Sequence, residues 1–272
     1  MLCTVVTSYY CIKSKFSKDK YLEWGRTFLK LDAPIVLFTE NEFVDTIKEL
    51  RGNKPIDIRV IPFEELEMWK LYKDKWKMEY EKDLYRDRYG HSPELYALWA
   101  QKCIFVEKAI EKNPFETSYF FWCDFGAFRD PTISPQILSS FPCINYLPKN
   151  RIILQSVDPL RDDEKVRGRD NIYGKCLMIH NNQARLVGGL WGGGKNGCLT
   201  WKKAYQEMLE KYFQSNRYAG NDQMIMLSTY MNNPKLAIVV RPSIQIKDQW
   251  FFLEYLLSSI SCPFEVDNSY FL

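Results

Sequence analysis

The sequence predicts an α/β domain whose central sheet is mostly parallel and flanked by helices, and three observations support this prediction. Short apolar runs alternate with segments of helical periodicity early in the chain, as in parallel strands joined by helices. The run Tyr119–Cys123 is apolar or aromatic without a break, which is typical of a strand buried on both faces. With 272 residues, 46% of them hydrophobic, the chain can bury the core of one large domain.

Strands and helices alternate from the amino terminus. Runs rich in β-branched and aromatic residues predict strands, and apolar residues at helical spacing predict helices. The predicted order is a strand at 2–10, a helix at 21–31, a strand at 35–38, a helix at 42–50 and a strand at 56–61. This alternation implies parallel pairing of the three strands.

The middle of the chain is predicted to be largely helical. Residues 63–89 are dense in Lys, Glu, Tyr and Trp. They are expected to form an amphipathic helical segment packed on the core, or alternatively a segment that extends over the active site or contacts the acceptor. Ser92, Pro93 and Glu94 are a good helix start, and this helix is expected to run to about residue 111.

The second half predicts shorter elements. Strand candidates lie at 151–154, 176–179, 185–191 and 236–240, and helices are expected at 199–213 and 224–231. The polar stretch 158–170 is expected to be a surface loop or a lid over the site, and the aromatic run at 250–257 is expected to pack on the core.

Composition limits the classes of protein. The formal charge of +3 gives no reason to expect a nucleic-acid partner, although local positive charge would suit a phosphorylated ligand. The eight cysteines form no C-x-x-C pair and are expected to be reduced thiols. No signal peptide is recognised, and no run approaches the roughly 18 to 20 apolar residues that span a bilayer. We therefore expect a soluble, cytoplasmic protein without a transmembrane segment.

A polar segment follows the buried strand Tyr119–Cys123 directly. It contains Asp124, Gly126, Arg129 and Asp130. Ligands of open α/β sheets bind at the carboxyl ends of strands, and glycine allows a ligand to approach the backbone closely. A carboxylate at this position is suited to hold a divalent metal ion beside a phosphate, so Asp124 is the predicted centre of the site.

Two short motifs suggest other enzymes; the first is rejected and the second is disfavoured. Residues 124–126 spell the D-F-G tripeptide of protein kinases, but the chain has no H-R-D catalytic loop. The glycine-rich segment 189–195 nearly matches a P-loop, but Asn196 stands where the Mg²⁺-binding hydroxyl belongs. A glycine-rich turn that passes close to a sugar or phosphate, or a purely structural turn, is favoured instead.

Asp222 stands at the predicted start of a helix and has two interpretations. It could be the N-cap of that helix, or it could face the cleft as a general base or a ligand of the acceptor.

Several segments together resemble the nucleotide-sugar glycosyltransferases of GT-A fold, and more closely the bacterial HtrL/YibB and WlaTC-like glycosyltransferase family. These segments occur in order over most of the chain: VVTSYY, PIVLFTEN, LYALWAQKCIFVEKAIEKNPF, YFFWCDFGAFRD, VGGLWGG and NDQ. The resemblance implies a single GT-A-like domain over residues 1–272, with a nucleotide-binding half at 1–130 and an acceptor-binding half at 131–272.

The resemblance also implies roles for individual residues. The donor-binding residues would be Thr7, Ser8, Tyr9, Thr39, Lys102, Asp124 and Gly126. The sugar and acceptor pocket would be formed by Gly188, Gly189, Trp191 and Gln223. Asp222 would be the catalytic base, and Asp124 would bind Mn²⁺ or Mg²⁺. One departure matters, because Gly126 stands where the D-x-D motif has its last carboxylate; Asp130 is a possible substitute ligand.

The function implied by the resemblance is transfer of a sugar from a nucleotide-diphosphate sugar, with a UDP-sugar favoured, to a glycan acceptor with the help of a metal. Two alternatives stay open. One is a non-catalytic carbohydrate- or nucleotide-binding protein on the same fold, and the other is a different phosphate-using enzyme built on the loop that begins at Gly189.

Overall fold

In the residues that the structure describes, the fold is an eight-stranded mixed sheet with helices on both faces. The computed structural model describes residues 3–145, 147, 149–159, 162, 165–168, 185–243, 249–258 and 264–266. The strands are β1 (Cys3–Tyr9), β2 (Ile35–Thr39), β3 (Ile56–Val60), β4 (Tyr119–Cys123), β5 (Ile152–Gln155), β6 (Leu190–Gly194), β7 (Ala237–Pro242) and β8 (Phe264–Val266). The helices are α1 (Lys18–Phe28), α2 (Val44–Arg51), α3 (Glu67–Lys82), α4 (Arg86–Tyr89), α5 (Pro93–Lys112), α6 (Pro135–Ser140), α7 (Lys195–Gln214), α8 (Asp222–Asn232) and α9 (Phe252–Leu256). The predicted α/β fold class is confirmed.

The strand order across the sheet is β3-β2-β1-β4-β6-β5-β7-β8. Strands β3, β2, β1 and β4 are parallel to one another, as the early alternation predicted. Strand β6 runs antiparallel between β4 and β5, while β5 and β7 are parallel and β8 is antiparallel to β7. Four of these seven described pairings are parallel, so the excess of parallel pairing that the sequence predicted is small.

Three glycines of β6 explain why the sequence misplaced this strand. Strand β6 includes Gly192, Gly193 and Gly194, which the sequence assigned to a turn, either close to a sugar or phosphate or purely structural. A Cβ atom at Gly192 would overlap the carbonyl oxygen of Phe120, and one at Gly193 would overlap that of Arg151. These glycines therefore allow close backbone approach within the sheet, and the turn interpretation is wrong for them.

The same observation removes the P-loop alternative. Helix α7 begins at Lys195, directly after β6, and Lys195 is exposed at its first position. A P-loop needs a glycine-rich loop between its strand and its helix. Here the glycines are paired in the sheet, so no such loop exists between β6 and α7.

Helix α5 lies against the sheet and is the central helix of the fold. Ser92 caps it by accepting a hydrogen bond from the Leu95 amide at 3.2 Å, as predicted, and the helix ends before Asn113 in the left-handed conformation. It packs on β1 and β4 on one side and on α3 and α7 on the other. Its position between the sheet and these helices brings its middle turns to the edge where β1 and β4 end.

The helical segment after β3 packs on α5 rather than on the cleft described below. Trp69 and Trp76 of α3 are buried, and the Trp76 indole donates to the Met68 carbonyl at 2.8 Å. The Met68 amide donates to Gln101 of α5 at 2.9 Å. These contacts support the interpretation of residues 63–89 as an amphipathic segment packed on the core.

The remaining predictions divide between confirmed and undescribed segments. The aromatic run near the carboxyl terminus packs on the core through Phe252 and Leu253 of α9. The six cysteines in the described ranges are free thiols. The strand predicted at 176–179 and six of the thirteen residues of the polar stretch 158–170 lie outside the described residues. Within the described part of the chain, no helix is both long enough and apolar enough to cross a membrane.

Candidate functional site

A cleft of about 110 Å³ opens where β1 and β4 end side by side. Because these strands are parallel neighbours, their carboxyl ends meet at one edge of the sheet, which is the expected location of ligand sites. Two residues of β1, four of α5 and the segment after β4 contribute to its lining. The lining includes Ser8, Tyr21, Trp99, Lys102, Asp124 and Arg129.

Asp124 lies at the floor of this cleft with a fixed orientation. Its backbone amide donates to the Gly189 carbonyl at 2.7 Å, and its Oδ1 accepts from the Trp122 indole at 2.7 Å. Its side chain is 40% exposed. One carboxylate oxygen is therefore held by the protein while the carboxyl group as a whole remains open to a ligand.

Lys102 is buried on the wall of the cleft between two carboxylates. Its Nζ lies 3.2 Å from Asp124 Oδ1 and 3.1 Å from Asp222 Oδ2, and it donates to the Gly188 carbonyl at 3.0 Å. We call Lys102, Asp124 and Asp222 the lysine triad. Its formal charge is −1 when both carboxyls are ionised.

The pKa values within the lysine triad reflect burial and this pairing. Burial lowers the pKa of Lys102, but attraction to Asp124 and Asp222 outweighs it and leaves the pKa raised. Burial raises the pKa of Asp124, Asp222 adds to that rise, and Lys102 and the Trp122 hydrogen bond oppose it. Lys102 is thus held as a cation, and Asp124 takes up a proton more readily than a free carboxyl.

Gly188 and Gly189 make room for the lysine triad. A Cβ at Gly188 would lie 2.6 Å from Asp222 Oδ2, and one at Gly189 would lie 3.1 Å from Asp124 Oδ2. Their carbonyls accept from Lys102 and from the Asp124 amide. The two predicted glycines therefore leave space for both carboxylates, and their carbonyls hold Lys102 and the backbone of Asp124.

Asp222 is the first residue of α8 but is not its cap. Asn221 caps the helix, with its side chain accepting from the Gln223 amide at 2.9 Å, so the N-cap interpretation of Asp222 is wrong. Asp222 exposes only 8% of its side chain. Gln223 donates to the Leu186 carbonyl at 2.7 Å, which ties the start of α8 to the segment before Gly188.

The other predicted residues divide between the cleft and the core. Ser8 and Tyr9 line the cleft. Thr7 and Thr39 are fully buried, and the Thr39 hydroxyl donates to the Tyr9 carbonyl at 2.7 Å, so it fixes β2 against the end of β1. Trp191 faces Trp122 across the β4–β6 pairing and is buried in the core rather than in the cleft lining.

The residues around Asp124 fit a metal only as a single protein ligand. A Cβ at Gly126 would lie 3.0 Å from the Trp24 ring and 3.2 Å from the Tyr21 ring, so a carboxylate there would require these rings to move. Asp130 accepts from the amide and hydroxyl of Thr132 at 2.9 and 2.6 Å and lies outside the cleft lining. Among the described residues, no group of three metal-binding side chains occurs. A divalent ion at Asp124 would therefore take most of its ligands from a substrate and water.

Ten residues of the cleft lining were not among the predicted site residues, and Trp99, Arg129 and Tyr21 are three of them. Trp99 lies one turn before Lys102 on α5, and this helical spacing was the available signal. Arg129 follows Gly126 by three residues, and Tyr21 comes from α1, whose approach to the cleft depends on tertiary packing.

The geometry thus defines an α/β protein with a cleft at the ends of β1 and β4 that is lined by both acidic and basic side chains. The chain belongs to the family described as "Bacterial protein of unknown function (HtrL_YibB)", whose model matches residues 3–259. Protein HtrL of Escherichia coli (strain K12) is 23% identical over 256 residues, which cover 86% of this chain and 85% of that protein. The resemblance to the HtrL/YibB family is confirmed.

Solved structures overlap most of the chain at low identity. Mouse xyloside xylosyltransferase 1, in its apo form, gives a TM-score of 0.45 at 12% identity and covers 88% of this chain and 85% of its own. Core-mannan synthase A from Aspergillus fumigatus, in its Mn/GDP form, gives 0.44 at 10% identity, with 88% and 72% covered. The 4-diphosphocytidyl-2C-methyl-D-erythritol synthase from Anaerococcus prevotii gives 0.37 at 12% identity, with 94% and 98% covered. At these scores, any function has to be argued from the site itself.

Proposed function

We propose that this chain is a GT-A-type glycosyltransferase that moves a sugar from a nucleotide-diphosphate sugar, with a UDP-sugar favoured, to a glycan acceptor. The observation that carries the proposal is the half-open carboxylate of Asp124 at the end of β4, fixed by Trp122 and backed by the buried cation Lys102. Such a carboxylate at the carboxyl end of a central parallel strand is suited to a phosphorylated donor and its counter-ion.

The donor side of the reaction has candidate residues in the cleft. Transfer breaks the bond between the sugar and the diphosphate, so negative charge grows on the leaving group. A divalent ion held by Asp124 would supply positive charge beside that group when bound. Ser8 and Tyr9, at the end of β1, would contact the nucleoside, and Tyr21 and Trp99 offer flat apolar faces to a base or sugar.

Asp222 remains the predicted base for the acceptor hydroxyl, and its geometry gives it a second role. Its Oδ2 accepts from Lys102 and its side chain is buried, so it also holds the ammonium group beside Asp124. A base acts within hydrogen-bond reach of its proton donor, and the acceptor would therefore have to reach the space beside Gly188. These positions are consistent with the proposed division into a nucleotide-binding half at 1–130 and an acceptor-binding half at 131–272.

A ligand screen tests the donor proposal. Thermal unfolding is followed with UDP, GDP, CDP and their sugars, with and without Mn²⁺, for the native chain and Asp124→Asn. A ligand at a hundred times its Kd stabilises by about 2.7 kcal/mol, which shifts Tm by several degrees. We expect one nucleotide to shift the native protein and Asp124→Asn to lose most of that shift.

Product analysis with the stabilising sugar nucleotide then tests the chemistry. Transfer or release of the sugar by the native chain is expected, and Asp222→Asn should bind the donor but lose transfer if it is the base. The non-catalytic alternative is favoured by the single carboxylate beside Gly126. Binding without any release of sugar would support that alternative, and the absence of any shift would reject the donor proposal.

A further inference from the structure

Two cationic side chains line the described cleft, and they differ in how far their charges are already neutralised. Lys102 lies between Asp124 and Asp222, so the lysine triad is formally negative. A phosphate that approached Lys102 would also be repelled by these two carboxylates, whose oxygens lie 3.2 and 3.1 Å from the ammonium group. Coulomb attraction to the ammonium is therefore offset within the triad itself. Arg129 stands outside this arrangement.

The Arg129 guanidinium is held in place by uncharged groups. Its Nε donates to the Gly126 carbonyl at 2.8 Å. Its Cζ lies 4.3 Å from the centre of the Trp24 ring, 4.8 Å from that of Phe251 and 5.5 Å from that of Phe16. No carboxylate among the described residues forms an ion pair with it. Its charge and its two terminal amino groups are thus available to a ligand, while its planar group is oriented before any ligand arrives.

We infer that Arg129 is the side chain that binds the diphosphate of the donor, an inference that rests on the proposed function. A guanidinium matches two phosphate oxygens with two parallel N–H donors, which a lysine cannot do. Arg129 lies in the same cleft as Asp124, so one diphosphate could contact both the guanidinium and a cation bound at Asp124. Lys102 then acts mainly as the group that orients the two carboxylates.

Calorimetry on the full chain tests this assignment with probes of different charge. The probes are inorganic pyrophosphate, which carries no base, together with UDP and UMP. The proteins are the native chain, Arg129→Gln, Arg129→Lys and the control Arg26→Gln, which removes an exposed arginine of α1 outside the cleft lining. Thermal unfolding of each variant confirms that it is folded.

The expected result separates binding from structural support. Arg129→Gln should weaken pyrophosphate and UDP by about tenfold or more, as expected for loss of a charge-assisted hydrogen bond, and should weaken UMP less. Arg129→Lys should fall between native and Arg129→Gln, and Arg26→Gln should match the native chain.

Each contrary outcome has a distinct meaning. If Arg129→Gln binds pyrophosphate and UDP as the native chain does, this inference is overturned while the donor proposal stands. Equal weakening of UDP and UMP would show that Arg129 supports the cleft only through Trp24 and Phe251, which also overturns it. If the native chain binds neither pyrophosphate nor any of UDP, GDP and CDP, the inference and the proposed function are rejected together.

Discussion

At the scale of single residues, a substitution of Lys102 is expected to reduce the stability of the fold strongly. Lys102→Met keeps a similar length but leaves Asp124 and Asp222 facing each other without their cation. Removing one partner of a buried ion pair typically costs about 3–5 kcal/mol, because the remaining charge stays buried. Urea unfolding of the variant should show a loss of this size in the free energy of unfolding.

Lys202→Met is the matched control for this prediction. Lys202 of α7 pairs with Glu107 of α5 at 2.9 Å, but both side chains remain partly exposed. A partly exposed pair is worth about 1 kcal/mol or less. Equal losses in the two variants would mean that burial of the lysine triad contributes nothing to the cost.

Part of the candidate site was predictable from the sequence because some of its signals are local. Asp124 was predicted from a buried strand and the residue after it, and that strand is β4. The contact between Lys102 and Asp222 joins residues 120 positions apart, so only the fold reveals it. Trp191 was placed in the pocket by resemblance, but the alternation of β6 turns its side chain into the core.

At the scale of secondary-structure elements, one buried carboxylate joins the helical segment after β3 to the rest of the fold. Asp83, just after α3, accepts from the Tyr96 hydroxyl at 2.6 Å, the Tyr218 hydroxyl at 3.0 Å and the Tyr85 amide at 2.8 Å. His91 Nδ1 lies 2.7 Å from the same carboxylate. These donors come from α5 and from the segments before α5 and before α8, so Asp83 links three parts of the chain.

This network predicts a specific loss of stability in acid. Burial alone would raise the pKa of Asp83, but hydrogen bonds from His91, Tyr96, the Tyr85 amide and Tyr218 together lower it from 3.8 to about 2. The unfolded chain therefore binds more protons than the folded chain between about pH 4 and pH 2. The stabilisation, about 2 kcal/mol, is present above pH 4 and is lost as the pH falls through 2.

Asp83→Asn should remove this acid dependence. The variant should be less stable than the native chain by about 2 kcal/mol at pH 7, and the difference should shrink below pH 4. Urea unfolding measured from pH 7 to pH 2.5 checks this prediction. The control variant is Asp74→Asn, which changes an exposed carboxylate of α3. A gap that stays constant with pH would contradict the assignment to ionisation of Asp83.

Helices and strands were predictable where their sequence pattern is periodic and local. They were less predictable where contacts with an adjacent strand determine which residues are allowed. Helix α5 has a cap and an apolar stripe, and both were recognised. Strand β6 is glycine-rich, which reads as a turn in sequence, yet its glycines are required by the closeness of β4 and β5. No local pattern carries that requirement, because it belongs to strands that are distant in the chain.

At the scale of the whole molecule, the two predicted halves share one sheet and one pair of cores. Strand β6 lies between β4 of the first half and β5 of the second. The core cluster on one face includes Phe105 and Tyr212, and the cluster on the other face includes Phe28 and Leu253. Residues that line the described cleft all fall between 8 and 129, so the ligand-binding surface is more localised than the core that supports it.

This difference leads to a prediction about the isolated first half. A fragment of residues 1–130 would contain the described cleft lining, but it would expose the edge of β4 and the face of α5 that α7 covers. It would also lose Asp222 and Gly188, the partners that hold Lys102. We expect no cooperative thermal transition in circular dichroism and no pyrophosphate binding, whereas the full chain shows a transition. The reason is that the first half shares its core with the second half, so the fragment loses part of the apolar packing that stabilises it. Cooperative melting of the fragment would contradict this prediction and would mean that the first half is an independent domain.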